Sequence, residues 1–74
     1  MNDALLQSAV RFQDAGQVAE AARLYSEIIR GNPTHFEALY RLGLIHLQSG
    51  RAGDAERLLA AAIRIQPQFP AVSA

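Results

Sequence analysis

The chain has 74 residues, which is room for one small domain, and 50% of them are hydrophobic, which is enough for folding. Seven arginines balance seven acidic side chains, so the net charge of zero gives no support for binding to nucleic acid or to a membrane surface. The absence of cysteine excludes disulfides, zinc–thiolate sites and thiol nucleophiles. The N-terminus has neither the basic start of a signal peptide nor a long apolar run, so a cytoplasmic location is the default expectation.

The first half of the chain predicts two helices. Helix one should begin after Asn2 or Asp3, either of which can accept an orphan backbone N–H as a cap, and it should end at Gly16. Helix two should follow from about residue 17 to residue 30 and stop before Pro33, because the residue before a proline is pushed out of the helical region. Apolar residues recur at helical spacing in both segments.

The second half predicts the same arrangement. Thr34 and Glu37 fit a capping box, in which the threonine hydroxyl accepts from the glutamate N–H and the glutamate side chain returns to the threonine. Helix three then extends to about Ser49, and helix four runs from about residue 52 to residue 65, before Pro67. No stretch alternates with period two for long enough to be a strand, so we expect an all-α fold.

A shift of 34 residues, the distance from Pro33 to Pro67, superimposes the two halves. The matched positions are Leu5 with Leu39, Ala9 with Gly43, Gly16 with Gly50, Ala21 with Ala55, Leu24 with Leu58 and Ile29 with Ile63. A fixed period of this size indicates stacked supersecondary units rather than one irregular core. The small residues among the matched positions allow neighbouring helices to approach closely.

This period and these residues resemble the tetratricopeptide repeat. Family residues stand at Leu5, Ala9, Phe12, Ala21, Tyr25 and Pro33 in the first copy and at Leu39, Leu42, Gly43, Ala55, Leu59, Ala62 and Pro67 in the second. The resemblance implies antiparallel helix-turn-helix pairs, stacked into a short right-handed superhelix with a concave inner surface. It makes residues 1–74 a single domain, with repeat one at about 2–35, repeat two at about 36–69 and a partial third unit or tail at 70–74. A plain four-helix bundle without stacking is the alternative.

No constellation of residues predicts catalysis, a metal site or a cofactor. His35 and His46 are roughly 16 Å apart along one helix, which is too far for them to share a metal ion. We expect His46 to be a partly buried packing residue and His35 to be a solvated residue of the first turn. The carboxylates are scattered among arginines, the serines lack a nucleophile elbow, and the turn at 50–53 lacks the Lys-Ser/Thr of a phosphate loop.

The resemblance places the first helix of each pair on the concave face. The inner surface would carry Asp3, Leu6, Gln7, Val10, Gln13 and Asp14 from the first copy and Glu37, Tyr40, Arg41, Leu44, Leu47 and Gln48 from the second. The apolar members lie off the stripe that joins each helix pair, and an exposed apolar strip of this kind usually marks a contact surface. The alternative is that neighbouring side chains cover the strip within the monomer.

In the chaperone-binding members of the family, an inner clamp of Lys, Asn and Arg residues grips a C-terminal carboxylate. The corresponding positions here hold Leu6, Val10, Arg41 and Ala71, of which only Arg41 is cationic. Because Arg41 has Glu37 as a neighbour at helical spacing, a carboxylate clamp is not expected.

Two repeats are fewer than the three or so that a stacked array usually needs. Leu58, Leu59 and Ile63 form an apolar flank on helix four that a following helix would cover. Either the chain is a piece of a longer protein, or it covers this flank by self-association. The sequence therefore predicts a non-catalytic module that binds a peptide or protein segment and forms homo-oligomers, with no cofactor and no nucleic-acid or membrane partner. The alternative is the N-terminal repeat region of a larger enzyme, such as a glycosyltransferase- or sulfotransferase-like protein.

Overall fold

A computed structural model of the chain describes residues 3–67, apart from the side chain of Asp3. Four helices follow one another: α1 at Asp3–Asp14, α2 at Val18–Gly31, α3 at Phe36–Gln48 and α4 at Ala52–Ile65. No strand occurs between residues 3 and 67, and the predicted all-α fold is confirmed. None of the four helices is long and apolar enough to cross a membrane. The predicted cap at Asn2, the partial third unit at 70–74 and its Ala71 lie outside the described residues.

The turns that close the two helix pairs have the same geometry. Each contains a left-handed glycine, Gly16 with φ 86° and Gly50 with φ 82°, a conformation that other residues adopt only with strain. The residue after each glycine donates its N–H back across the helix end. These bonds join Gln17 to the carbonyl of Phe12 and Arg51 to the carbonyl of His46, each at 2.8 Å. The 34-residue period of the sequence, from Gly16 to Gly50, therefore recurs in the backbone hydrogen bonds.

The start of α3 differs from the predicted capping box. The N-cap is His35, whose Nδ1 accepts a hydrogen bond of 3.2 Å from the N–H of Ala38. The N–H and the hydroxyl of Thr34 both donate to Oδ1 of Asn32, at 3.3 and 3.0 Å. The predictions of a Thr34 cap and of a solvated first-turn His35 are therefore wrong, because the Asn32 side chain holds Thr34 outside the helix and leaves the cap position to His35.

The core lies between the helices and combines small residues with a few large ones. Its buried members are Ala9, Ala21, Tyr25, Ile28, Ala38, Leu42 and Ile45. Alanines bring the helix backbones close together, and Tyr25 and Ile28, which are fully buried, fill the space beside them. Each fully buried large side chain contributes about 1.5–3 kcal/mol through removal of its apolar surface from water.

The second helix pair packs closely at Gly43 of α3. A Cβ atom at this position would lie 2.8 Å from both Cγ and Cδ2 of Leu59 and 3.5 Å from the carbonyl oxygen of Ala55. The Leu59 side chain therefore occupies the space that a larger residue than glycine would need. This contact agrees with the expectation that small residues allow close helix approach.

The four helices contact one another in chain order: α1 packs on α2, α2 on α3 and α3 on α4. A closed bundle would also pack α4 against α1, and that contact is not among the main helix contacts of the described residues. The arrangement is thus an open stack of helix pairs, and the plain four-helix bundle is not the fold. An open stack leaves one side of α4 without a neighbouring helix within residues 3–67.

Candidate functional site

Ten residues of the predicted inner surface of α1 and α3 are the candidate partner contacts, and we call them the groove face. They are Leu6, Val10, Gln13, Asp14, Glu37, Tyr40, Arg41, Leu44, Leu47 and Gln48. Asp14, Leu47 and Gln48 are exposed, and the others are half-buried. Neighbouring side chains therefore cover part of the apolar strip, and the remainder is open to solvent. Leu47 is the most exposed large hydrophobic side chain among the described residues, at 52%.

Two shallow depressions lie on the groove face, and six of its ten side chains line one or the other. One, on α3, has a volume of about 260 Å³ and is lined by Phe36, Glu37, Tyr40, Arg41 and Leu44. The other, on α1, has a volume of about 320 Å³ and is lined by Leu6, Gln7, Val10 and Arg11. The other four residues of the groove face line neither depression: Gln13, Asp14, Leu47 and Gln48. Depressions of this size and openness suit single side chains of a partner better than an enclosed small molecule.

Gln13 joins three helices at the floor of the groove face. Its Oε1 accepts a hydrogen bond of 2.7 Å from the Tyr25 hydroxyl of α2 and one of 3.3 Å from Nη1 of Arg41 of α3. Nε of Arg41 also donates to Oε2 of Glu37 at 2.8 Å. Gln13 was predicted as a ligand contact from its place on α1, but its amide oxygen is already bonded to two side chains. The part of the buried Tyr25 in this network could not be predicted from sequence, since the contact joins residues that are distant in the chain.

Charges near this network act on the Tyr25 hydroxyl. Burial raises the pKa of Tyr25 above its usual value, because the tyrosinate anion is poorly solvated in the core. Arg41 opposes this shift, and the negative charges of Glu37 and Asp14 add to it. The pKa of Arg41 is also raised, chiefly by its hydrogen bond to Glu37. The Arg41 guanidinium, with its carboxylate and amide partners, is thus part of the protein's own hydrogen bonding.

An aromatic pair forms one wall of the depression on α3. The rings of Phe36 and Tyr40 stack with their centroids 5.8 Å apart and their planes 8° apart. The two residues are four positions apart on α3, a spacing that places side chains on the same face of a helix. Phe36 was not among the predicted groove residues, although this spacing relative to Tyr40 would have indicated it.

The predicted self-association flank on α4 is only partly open. Leu58 and Leu59 are half-buried, while Ile63 is 45% exposed. Leu59 packs inward on Gly43, so it contributes less to an outer surface than the sequence implied. Ile65, which was not predicted, is 36% exposed beyond Ile63. The open apolar surface of α4 therefore lies toward its C-terminal end.

His46 lies outside the groove face, half-buried as predicted. It lines a cleft of about 420 Å³ between α2 and α3, together with Val18, Ala22, Ile45 and Arg51 among others. No group of three His, Cys, Asp or Glu side chains within the described residues is arranged to hold a metal ion. The side chains of the groove face offer apolar contact surface, hydrogen-bonding groups and charges.

The comparisons with known proteins agree with the helix pairs and their period. A family profile described as tetratricopeptide repeat matches residues 12–74. The chain belongs to the tetratricopeptide repeat family, and the resemblance found in its sequence is confirmed. No solved structure matches the chain significantly.

Two curated proteins are similar to part of the chain. Tetratricopeptide repeat protein 7B of Homo sapiens is 40% identical over 50 residues, and the match covers 68% of this chain and 6% of that protein. Cellulose synthase 2 operon protein C of Komagataeibacter xylinus is 38% identical over 52 residues, which cover 70% of this chain and 4% of that protein. The chain thus matches only a small part of either relative. Repeats of this family generally mediate protein–protein interaction, so binding to a protein partner is the function that the family supports.

Proposed function

We propose that this chain binds a peptide or protein segment on its groove face and performs no chemistry of its own. The depression on α3 is the observation that carries the proposal. It places Tyr40 and Leu44, which are both half-buried, beside the ion pair of Glu37 and Arg41. A small open site with apolar walls and a few polar groups can take a partner's side chain and fix its orientation.

The depression on α1 extends this surface. Leu6 and Val10 line it and are also half-buried, so the first repeat offers apolar contact area as well as the second. A partner that lies across both depressions would place separate side chains in each. Burial of several such contacts would offset the cost of ordering a flexible segment, which a single depression would not do.

Selection from a random peptide library on the immobilised chain, followed by nuclear magnetic resonance mapping of the best binder, tests this proposal. We expect the largest amide shifts on α1 and α3, around Val10 and Leu44. Shifts confined to α4 would contradict the proposal. The variant Leu44→Arg, which places a charge in the depression on α3, should no longer yield binders with these shifts.

Self-association is a second proposed property, and the exposure of Ile63 (45%) and Ile65 (36%) supports it. Two copies that bury these side chains against each other would remove apolar surface from water. Sedimentation velocity over a range of concentrations should show an oligomer that Ile63→Arg weakens. A monomer at all concentrations up to tens of micromolar would contradict self-association and would leave the peptide-binding proposal untouched.

The alternative function, an N-terminal repeat region of a larger enzyme, is supported only by the great length of both relatives compared with the match. The open reading frame that encodes the chain provides the test. A frame that continues past Ala74 into a catalytic domain would favour the enzyme, and a stop codon soon after Ala74 would contradict it.

A further inference from the structure

Arg41, the cation of the depression on α3, is already neutralised, whereas Arg11 beside Val10 in the depression on α1 is an exposed cation outside the ten side chains of the groove face. Arg41 is the cation among its ten side chains, and its guanidinium donates to Glu37 at 2.8 Å and to Gln13 at 3.3 Å. Its side chain is only 32% exposed. A carboxylate of a partner would have to compete with both internal acceptors, and it would approach Glu37 with a charge of the same sign. The groove face is therefore poorly suited to an acidic segment or a C-terminal carboxylate.

The negative charges of the groove face remain more accessible. Asp14 is exposed and forms no ion pair within the described residues. It is the last residue of α1, where the dipole of the helix adds partial negative charge. The side chain of Glu37 is 46% exposed and uses Oε2 for Arg41. Gln13, which precedes Asp14 on α1, accepts a hydrogen bond from Arg41, the ion-pair partner of Glu37, so this end of α1 lies beside the depression on α3.

The walls beside Glu37 suit the stem of a long basic side chain. The stacked rings of Phe36 and Tyr40 present aromatic surface to the depression, and Leu44 adds an aliphatic contact. Cations are attracted to aromatic faces, and the methylene groups of lysine or arginine pack on apolar surface while the charged end stays near water. Aromatic wall, aliphatic contact and carboxylate occur here within one depression.

We infer that the partner of the groove face is an apolar segment that carries a lysine or arginine. The basic side chain would pack on Tyr40 and Leu44 with its charge facing the carboxylates of Glu37 and Asp14, and apolar side chains of the segment would contact Leu6 and Val10 on α1. This inference rests on the proposed function, since it specifies the partner of the same surface.

The test uses the random peptide library on the full chain and then one selected peptide. Lysine and arginine should be enriched among the binders, and aspartate and glutamate depleted. Binding of the selected peptide should weaken with added salt, because the charges involved are largely exposed. Asp14→Asn should weaken binding about two- to fivefold. Glu37→Gln should weaken it by about tenfold, because it also releases the positive charge of Arg41.

Asp54→Asn is the matched control, since Asp54 is an exposed carboxylate on α4. It should leave the affinity unchanged. Binders that map to the groove face without enrichment of basic residues would overturn the inference and leave the proposed function standing. Enrichment of acidic residues would overturn it in the same way. A library that yields no binder at all, or a groove face occupied by a second copy in a dimer that Leu44→Arg disrupts, would overturn both.

Discussion

The hydroxyl of Tyr25 on α2 donates a 2.7 Å hydrogen bond to Oε1 of Gln13 on α1. The Tyr25 side chain is buried from solvent, so Gln13 supplies the acceptor that water cannot. The same amide oxygen accepts from Arg41 on α3. The bond from Tyr25 lies within the first helix pair, and the bond from Arg41 connects the second pair to the first. Gln13 therefore stabilises the relative position of the two helices that form the groove face.

Replacement of Gln13 by leucine should lower stability by about 1–2 kcal/mol, because the buried Tyr25 hydroxyl would lose its acceptor. Gln7→Leu makes the same substitution at an exposed position of α1 and is the control. Chemical denaturation of both variants measures the difference. Equal stability of the two variants would show that the Tyr25–Gln13 bond contributes nothing beyond solvent contacts.

Substitution of Gly43 tests the close packing of α3 on α4. In Gly43→Ala, the new methyl would lie 2.8 Å from two carbon atoms of Leu59, so the helix-propensity gain of alanine should be outweighed by overpacking of about 1–3 kcal/mol. Gly53→Ala is the control, since a Cβ atom there would meet nothing within 4 Å. In a Leu59→Ala background the cost of Gly43→Ala should disappear, and thermal unfolding of the double-mutant cycle would reveal this. A cost that persists in that background would place the strain elsewhere.

The N-cap of α3 is His35 in the structure, whereas the sequence predicted Thr34. His35→Ala should cost about 0.5–1 kcal/mol, because the N–H of Ala38 loses its side-chain acceptor. Thr34→Ala removes an exposed hydroxyl bonded to Asn32 and should cost less. Urea unfolding of the two variants compares them directly. A larger loss for Thr34→Ala would instead support the capping box of Thr34 and Glu37.

Alkaline pH should destabilise the fold through Tyr25. Burial raises the pKa of this residue in the folded state above its usual value of 10.0, so the folded chain holds the proton more tightly than the unfolded chain does. Its contribution to the free energy of unfolding is complete below about pH 10 and is lost as the pH rises through the raised value. Tyr25→Phe should abolish the loss of stability that Tyr25 causes at alkaline pH. Tyr40→Phe leaves Tyr25 in place and should still show that loss. Thermal unfolding followed by circular dichroism across this pH range measures both, and an identical loss in all three proteins would contradict the assignment.

The helices and turns could be predicted because their signals are local. Glycine in a left-handed conformation and proline after a helix act within a few residues, and Gly16, Gly50, Pro33 and Pro67 lie where the helices end. The 34-residue period from Pro33 to Pro67 then made the family recognisable from two copies of the pattern.

The details that could not be predicted depend on contacts between side chains. Thr34 and His35 are adjacent and both can cap a helix, and the side chain of Asn32 decides between them. Gln13 has the sequence context of any polar residue near a helix end, and only the fold brings it to Tyr25 and Arg41. Leu59 belongs to an apolar stripe on α4. Residues that face inward and residues that face outward lie close together around the helix axis, so the sequence pattern does not separate them. The contact of Leu59 with Gly43 fixes which side it faces.

The affinity of one library-selected peptide for the wild-type chain, Leu44→Arg and Ile63→Arg is the most direct test of binding at the groove face. Titration calorimetry measures all three, with circular dichroism to show that each variant is folded. We predict that Leu44→Arg weakens binding by more than about tenfold, because it places a large cation in the depression on α3. Ile63→Arg, at an exposed position of α4, should leave the affinity unchanged. Loss of binding in Ile63→Arg with full affinity in Leu44→Arg would contradict the groove face as the binding surface.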